Sequence, residues 1–82
     1  MPDLTLYYMP SCPYCGRVLR YMEENQIKIP MKNTSENSDN RNELLQIGGK
    51  TQVPCLVIDG IAKYESLDII EWFKDNKDKI NS

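Results

Sequence analysis

Leu4-Thr5-Leu6-Tyr7-Tyr8-Met9-Pro10-Ser11-Cys12-Pro13-Tyr14-Cys15 is the stretch that decides how this chain folds. Its first five residues form an apolar and aromatic run that reads as a buried strand, and Met9-Pro10-Ser11 breaks that run into a loop delivering Cys12. Pro13 suits the first position of a helix, where no amide hydrogen is needed and a fixed φ already fits. From there to about Asn25, Cys15, Val18, Leu19 and Met22 recur at helical spacing while Arg17, Arg20, Glu23 and Glu24 fall elsewhere, the pattern of an amphipathic helix. Cys12 therefore stands at a junction between strand and helix.

Outward from this unit, Ile27-Lys28-Ile29-Pro30-Met31 alternates apolar and polar residues like a half-exposed strand, and its proline suggests a sheet edge. A polar stretch over 33–42 leads into a helix expected from about Asn40 to Ile47. Ser38 or Asp39 would cap it, Leu44, Leu45 and Ile47 would form its apolar side, and Gly48-Gly49 would stop it. Val53 to Ile58 reads as a strand ending at Asp59-Gly60, a strong two-residue hairpin signal, with the returning strand over Ile61 to Tyr64. The last helix is expected to start on Ser66 as N-cap, to bury Leu67, Ile69, Ile70 and Phe73, and to fray from Lys74. Trp72 and Phe73 read as packing residues of that helix.

The element order βαβαββα makes this an α/β chain with a four-stranded mixed sheet flanked by three helices. A strand-helix-strand crossover is parallel and right-handed, whereas the Asp59-Gly60 hairpin is antiparallel. Cys12 then sits at the carboxyl end of the first strand, where open sheets bind their ligands. Eighty-two residues suffice for one small domain, expected to span 1–82, with a shallow active site.

Ten Lys and Arg against twelve Asp and Glu, a net charge of −2, give no field for holding nucleic acid. No apolar run is long enough to cross a bilayer and no basic segment precedes an apolar one at the start, so a soluble cytoplasmic protein without membrane association is expected. With no histidine, the commonest general base and metal ligand are missing, which excludes Ser-His and Cys-His hydrolysis and most catalytic zinc sites. The reactive element that remains is sulfur, at Cys12, Cys15 and Cys55. An odd cysteine count without a secretion signal points to a reducing compartment.

In Cys12-Pro13-Tyr14-Cys15, two cysteines three apart at a helix start have Cβ atoms about 5–6 Å apart, so they can form a redox couple. Cys12 would face the unpaired amides and positive pole of the helix, which lower a thiol pKa of about 8.5 toward neutrality. Cys15 lies on the buried stripe and would act second, against a mixed disulfide on Cys12. A structural zinc site is the bland alternative, but it needs two further ligands, and only Cys55 and carboxylates remain.

These residues resemble the glutaredoxins, small proteins of the thioredoxin-like fold, over nearly the whole chain. Cys12-Pro13-Tyr14-Cys15 matches the family's dithiol site, with Cys12 as nucleophile and Cys15 as resolving thiol. Thr51-Gln52-Val53-Pro54 resembles its Thr-Val-Pro segment with a Gln inserted. The resemblance implies that Pro54 is cis and shapes the groove, that Val53 binds glutathione through its main chain, and that Tyr14 lines the groove or packs between the thiols. Tyr64-Glu65-Ser66-Leu67-Asp68 resembles the Glu-Ser pair of glutathione transferase amino-terminal domains, which implies that Glu65 and Ser66 hold the γ-glutamyl end of glutathione. Many glutaredoxins carry Lys where this chain has Met9. Arg17, Arg41 and Lys50 are the neighbouring cations, each also readable as an ordinary surface residue, and Arg41 aligns roughly with the family's contact to the glycine carboxylate. Cys55, next to Pro54 on a strand, points to the opposite face and reads as a small buried hydrophobe.

The resemblance implies a monomeric glutathione-dependent dithiol oxidoreductase with glutathione as co-substrate and no metal. Its partners would be proteins bearing disulfides or glutathione mixed disulfides. The alternatives are a donor regenerated by thioredoxin reductase and a module carrying an iron-sulfur cluster, against which Pro13-Tyr14 argues. A full glutathione transferase would require a helical second domain beyond this length.

Overall fold

The computed structural model of the chain describes residues 3–80. Its elements are β1 (Leu4–Tyr8), α1 (Pro13–Glu24), β2 (Met31–Asn33), α2 (Ser38–Gly48), β3 (Cys55–Ile58), β4 (Ile61–Tyr64), α3 (Ser66–Asp75) and a short α4 (Lys77–Ile80). The strands form one sheet in the order β2-β1-β3-β4. β1 pairs parallel with β2, and the β1–β3 and β3–β4 pairs are antiparallel. Asp59 and Gly60 both have positive φ, 51° and 86°, the backbone that a two-residue hairpin needs to follow strand twist.

The two faces of the sheet follow from the alternation of side chains along each strand. Leu4 and Leu6 of β1 and Leu56 of β3 join Val18, Met22, Ile27, Ile69, Phe73 and Ile80 in a core with α1, α3 and α4 on one face. Tyr7, Cys55 and Val57, from the intervening positions, pack with Leu44 of α2 on the other. Between the helices of the first face, the rings of Tyr21 and Phe73 stack at 6.3 Å, with Trp72 edge-on to Phe73 at 6.0 Å.

Several boundaries depart from the sequence reading. Gln26, at φ 54°, ends the turn after α1, and Ile27 drops straight into the core. Residues 27–30 are therefore a connection, and pairing with β1 begins after Pro30, which has no amide to offer but accepts at its carbonyl from the Leu6 amide at 3.0 Å. β2 accordingly lies at Met31–Asn33, not Ile27–Met31. α2 starts at Ser38, with Asn37 as cap accepting from the Asp39 amide at 2.8 Å, rather than Ser38 or Asp39 capping a start near Asn40. Its contact with the sheet is a narrow stripe through Leu44, so Leu45 and Ile47 are exposed.

β3 begins at Cys55, not Val53. In α3 the buried stripe is Ser66, Ile69 and Phe73, which places Leu67 on the opposite side, 64% exposed. Ser66 is the first helical residue and Glu65 occupies the cap position. The tail does not fray from Lys74: α4 adds a fourth helix because Ile80, 6% exposed, seals the end of the larger core.

Candidate active site

Cys12 is the N-cap of α1 and Pro13 fills the helix's first position. Its thiol is half-buried, whereas Cys15, one turn in and on the buried stripe, is enclosed. All three cysteines are free thiols. Burial opposes ionisation of Cys12, but hydrogen bonds from the Cys15 amide, the Cys15 thiol and the Tyr14 amide outweigh it and lower its pKa from the ordinary thiol value. Cys15 is pushed up to about 11, first by burial and then by the Cys12 thiol beside it, with the Met9 amide pulling the other way. The two sulfurs three residues apart are thus poised oppositely.

The Val53-Pro54 bond is cis. Cys12 Sγ lies 4.0 Å from the Val53 carbonyl oxygen, so the segment before β3 abuts the first thiol. Tyr14, Gln52, Val53, Pro54, Glu65 and Ser66 line one cleft of about 340 Å³. Tyr14 stands at its rim, 61% exposed. Glu65 holds a left-handed φ of 71°, strained for a residue with a side chain, and accepts from Gln52 Nε2 at 3.4 Å. No side chain caps α3, whose start lines the cleft through Glu65 and Ser66, in contrast to α2 with its Asn37 cap. Gln52 escaped the sequence reading, although its insertion before Val53-Pro54 was the signal.

Arg41 does not join this group. It stands in the first turn of α2 and lines a cleft of about 510 Å³ with Met9, Thr34, Ser35, Ser38 and Thr51. Lys50 is also engaged elsewhere, its Nζ 4.4 Å from the centre of the Tyr64 ring. Arg17 alone among the three cations shares a groove with Cys12.

On the α2 face, Cys55 is fully buried beside Tyr7 and Tyr64, and burial pushes its thiol up to about 11. It belongs to the core and not to the cleft. Also on this face, the Tyr7 hydroxyl donates to Glu43, which is paired with Lys32. The Lys32 and Tyr7 hydrogen bonds hold the Glu43 carboxyl below its ordinary range. Among the described residues there is no cluster of three or more metal-ligating side chains, and no helix is long and apolar enough to cross a membrane.

Residues 6–79 match the family of glutathione S-transferase N-terminal domains. A glutaredoxin-like 8.6 kDa protein from the rubredoxin operon of Clostridium pasteurianum is 26% identical over 57 residues, 70% of this chain and 76% of that protein. Among solved structures, glutathione transferase Omega 3C from Trametes versicolor superposes with a TM-score of 0.79 at 34% identity, over 95% of this chain and 35% of its own. The chain thus spans about a third of that transferase. A buckwheat glutaredoxin in complex with glutathione shares the fold at a TM-score of 0.69 and 24% identity, over 93% of this chain and 72% of its own.

Proposed function

The chain belongs to the family of glutathione S-transferase N-terminal domains and is a glutaredoxin-like protein of the thioredoxin fold, and from that premise we propose that it is a glutathione-dependent dithiol oxidoreductase. The observation that carries this reading is the opposite poise of the paired thiols, Cys12 half-buried with a lowered pKa and Cys15 enclosed with a raised one. A nucleophile must be ionised and reachable, and a resolving thiol must wait.

With a protein disulfide, the Cys12 thiolate attacks one sulfur, the client S–S bond breaks and the first client sulfur leaves as a thiolate that takes up a proton. In the resulting mixed disulfide Cys12 carries no charge. Two of the influences holding the Cys15 proton, the hydrogen bond and the charge of Cys12, are then gone. Cys15 loses its proton and attacks Cys12 Sγ, the second client thiol departs, and two electrons now reside on the client while Cys12 and Cys15 share a disulfide. Two glutathione molecules return the electrons, leaving as glutathione disulfide. With a glutathionylated client, Cys12 attacks the glutathione sulfur, the client thiol leaves, and a second glutathione releases the adduct as glutathione disulfide.

Glutathione as the reductant is supported by the Tyr14, Val53, Pro54, Glu65 and Ser66 cleft. The start of α3, which no side chain caps, suits the γ-glutamyl carboxylate, and Glu65 suits its ammonium. The glutathione complex of the buckwheat glutaredoxin of this fold points the same way. Three free thiols suit a reducing, cytoplasmic setting. The test is turnover of a glutathionylated substrate with glutathione and glutathione reductase, beside the same assay with thioredoxin reductase. Glutathione should sustain turnover; reduction by thioredoxin reductase alone would remove glutathione from the reading.

A further inference from the structure

Apart from the cleft that holds Glu65 and Ser66, Pro10, Ser11, Cys12, Pro13, Gly16, Arg17 and Arg20 line a groove of about 490 Å³. Pro13, Gly16, Arg17 and Arg20 recur at positions i, i+3, i+4 and i+7, so they lie on one face of α1. Arg17 and Arg20 are exposed, and among the described residues neither guanidinium is in an ion pair or a hydrogen bond. On a chain of net charge −2, this is a local positive strip leading to the first thiol.

Gly16 is a second, independent observation. A glycine inside a helix destabilises it relative to alanine, so it calls for a reason. The fold supplies none: Gly16 is helical without a positive φ, and a Cβ added there would meet nothing within 4 Å. What its missing side chain leaves is open space between Cys12 and the two arginines, in the floor of the groove.

We propose that this groove docks an acidic segment of the client polypeptide, whose backbone passes over Gly16 while its carboxylates pair with Arg17 and Arg20. The inference rests on the oxidoreductase reading and adds the class of client. Glutathione is not the occupant, since that reading answers both ends of its γ-glutamyl group in the other cleft. Exposed charge pairs contribute little each, but two of them steering the encounter favour an acidic client by about three- to tenfold at low salt. The preference fades as ionic strength rises.

Three synthetic peptides, identical except that a glutathionylated cysteine is flanked by Glu, Gln or Lys, test this. The protein should turn over the Glu peptide with a kcat/KM about three- to tenfold above the Gln peptide and more above the Lys peptide. In the double variant Arg17→Gln/Arg20→Gln that ranking should vanish, with turnover of the Gln peptide and the glutathione KM unchanged. Gly16→Leu should slow the Glu peptide without lowering the melting temperature, because the added side chain fills the groove and not the core. Equal turnover of all three peptides by the unsubstituted protein overturns the proposal while leaving the oxidoreductase reading intact. So does a ranking that survives in the double variant. A rise in the double variant's glutathione KM overturns it as well, by assigning the arginines to glutathione. Failure to turn over any peptide with glutathione overturns both.

Discussion

The backbone amide of Met9 donates to Sγ of Cys15 across 3.4 Å, tying the loop that leaves β1 to the enclosed thiol and not to the half-buried one. Because the donor is main chain, the contact does not depend on which side chain stands at position 9. The same loop turns through a hydrogen bond from the Cys12 amide to the Met9 carbonyl at 3.1 Å, so the main chain of one residue holds the Cys15 sulfur and the backbone that carries Cys12.

Alkylation should separate the thiols by pH. Brief iodoacetamide treatment of the reduced protein at pH 7 should place one adduct, on Cys12, whose pKa is lowered. Cys15 and Cys55 should label only as the pH approaches about 11. Peptide mapping by mass spectrometry reads this directly; labelling of Cys15 at pH 7 as fast as Cys12 would contradict the assigned order of attack.

Cys15→Ser should keep release of glutathione from glutathionylated clients and lose reduction of protein disulfides, because free glutathione can resolve a glutathione adduct on Cys12 but a client disulfide needs the second thiol. After addition of glutathione disulfide, the intact mass of this variant should rise by one glutathione. Cys12→Ser should lose both activities. An adduct on Cys55 would mean that the buried thiol is the accessible one.

Glu65 offers a test that separates binding from backbone strain. Glu65→Gln retains the backbone and removes the charge, and loss of one charge-assisted hydrogen bond, about 1.5–3 kcal/mol, should raise the glutathione KM roughly tenfold with no change in melting temperature. Glu65→Gly should raise KM too, but it relieves the φ of 71° and should raise the melting temperature. A glutathione KM equal to that of the unsubstituted protein in both variants would remove Glu65 from the binding site.

Stability should fall on the alkaline side. Cys15 and Cys55 have folded-state pKa values raised from 9.0 to about 11, so the folded protein holds protons that the unfolded chain releases. Their contribution is complete below pH 9 and is lost as the pH rises toward about 11, on the order of 2 kcal/mol per buried thiol. Urea midpoints at pH 8 and pH 10.5 should show the drop, and Cys55→Ala should make it shallower. An identical slope with Cys55→Ala would assign the drop to other groups.

Gly48→Ala should destabilise the chain by about 1–3 kcal/mol, since a Cβ there would overlap the Tyr64 hydroxyl and stand 3.0 Å from Ala62 Cβ. Adding Tyr64→Phe removes the overlapping oxygen and should restore part of the loss in denaturant melts. A double variant no more stable than Gly48→Ala would place the clash at the ring carbon of residue 64, 2.9 Å from the added Cβ, or at Ala62.

Local rules made α1, the Asp59-Gly60 hairpin and the dithiol legible in the sequence. Proline at a helix start, apolar residues at a 3.6-residue period and a turn that needs two positive φ values each act within a few residues. Strand alternation also placed Cys55 opposite the face of Pro54, and the buried cluster with Tyr7 bears this out. Where the sequence reading erred, several residues competed for one local role. Ser38 and Asp39 both read as caps of α2, yet Asn37 holds that position and its side chain accepts from the Asp39 amide. Leu67 and Ile69 are equally apolar, yet only one can lie on the stripe that meets β3, and that is Ile69.

What the sequence by itself determined about this protein is the sulfur chemistry: two thiols three apart at a helix start, in a chain without histidine. The tertiary structure alone decided which distant residues stand around them. Gln52 meets Glu65 across 13 positions, and Val53 meets Cys12 across 41, while Arg41 falls into another cleft and Arg20 joins Arg17 beside the first thiol. The reason is physical. Burial and capping at a helix end are governed by neighbours within a turn or two, whereas a cleft between a helix start and two loops exists only once sheet register and helix docking have set their distances.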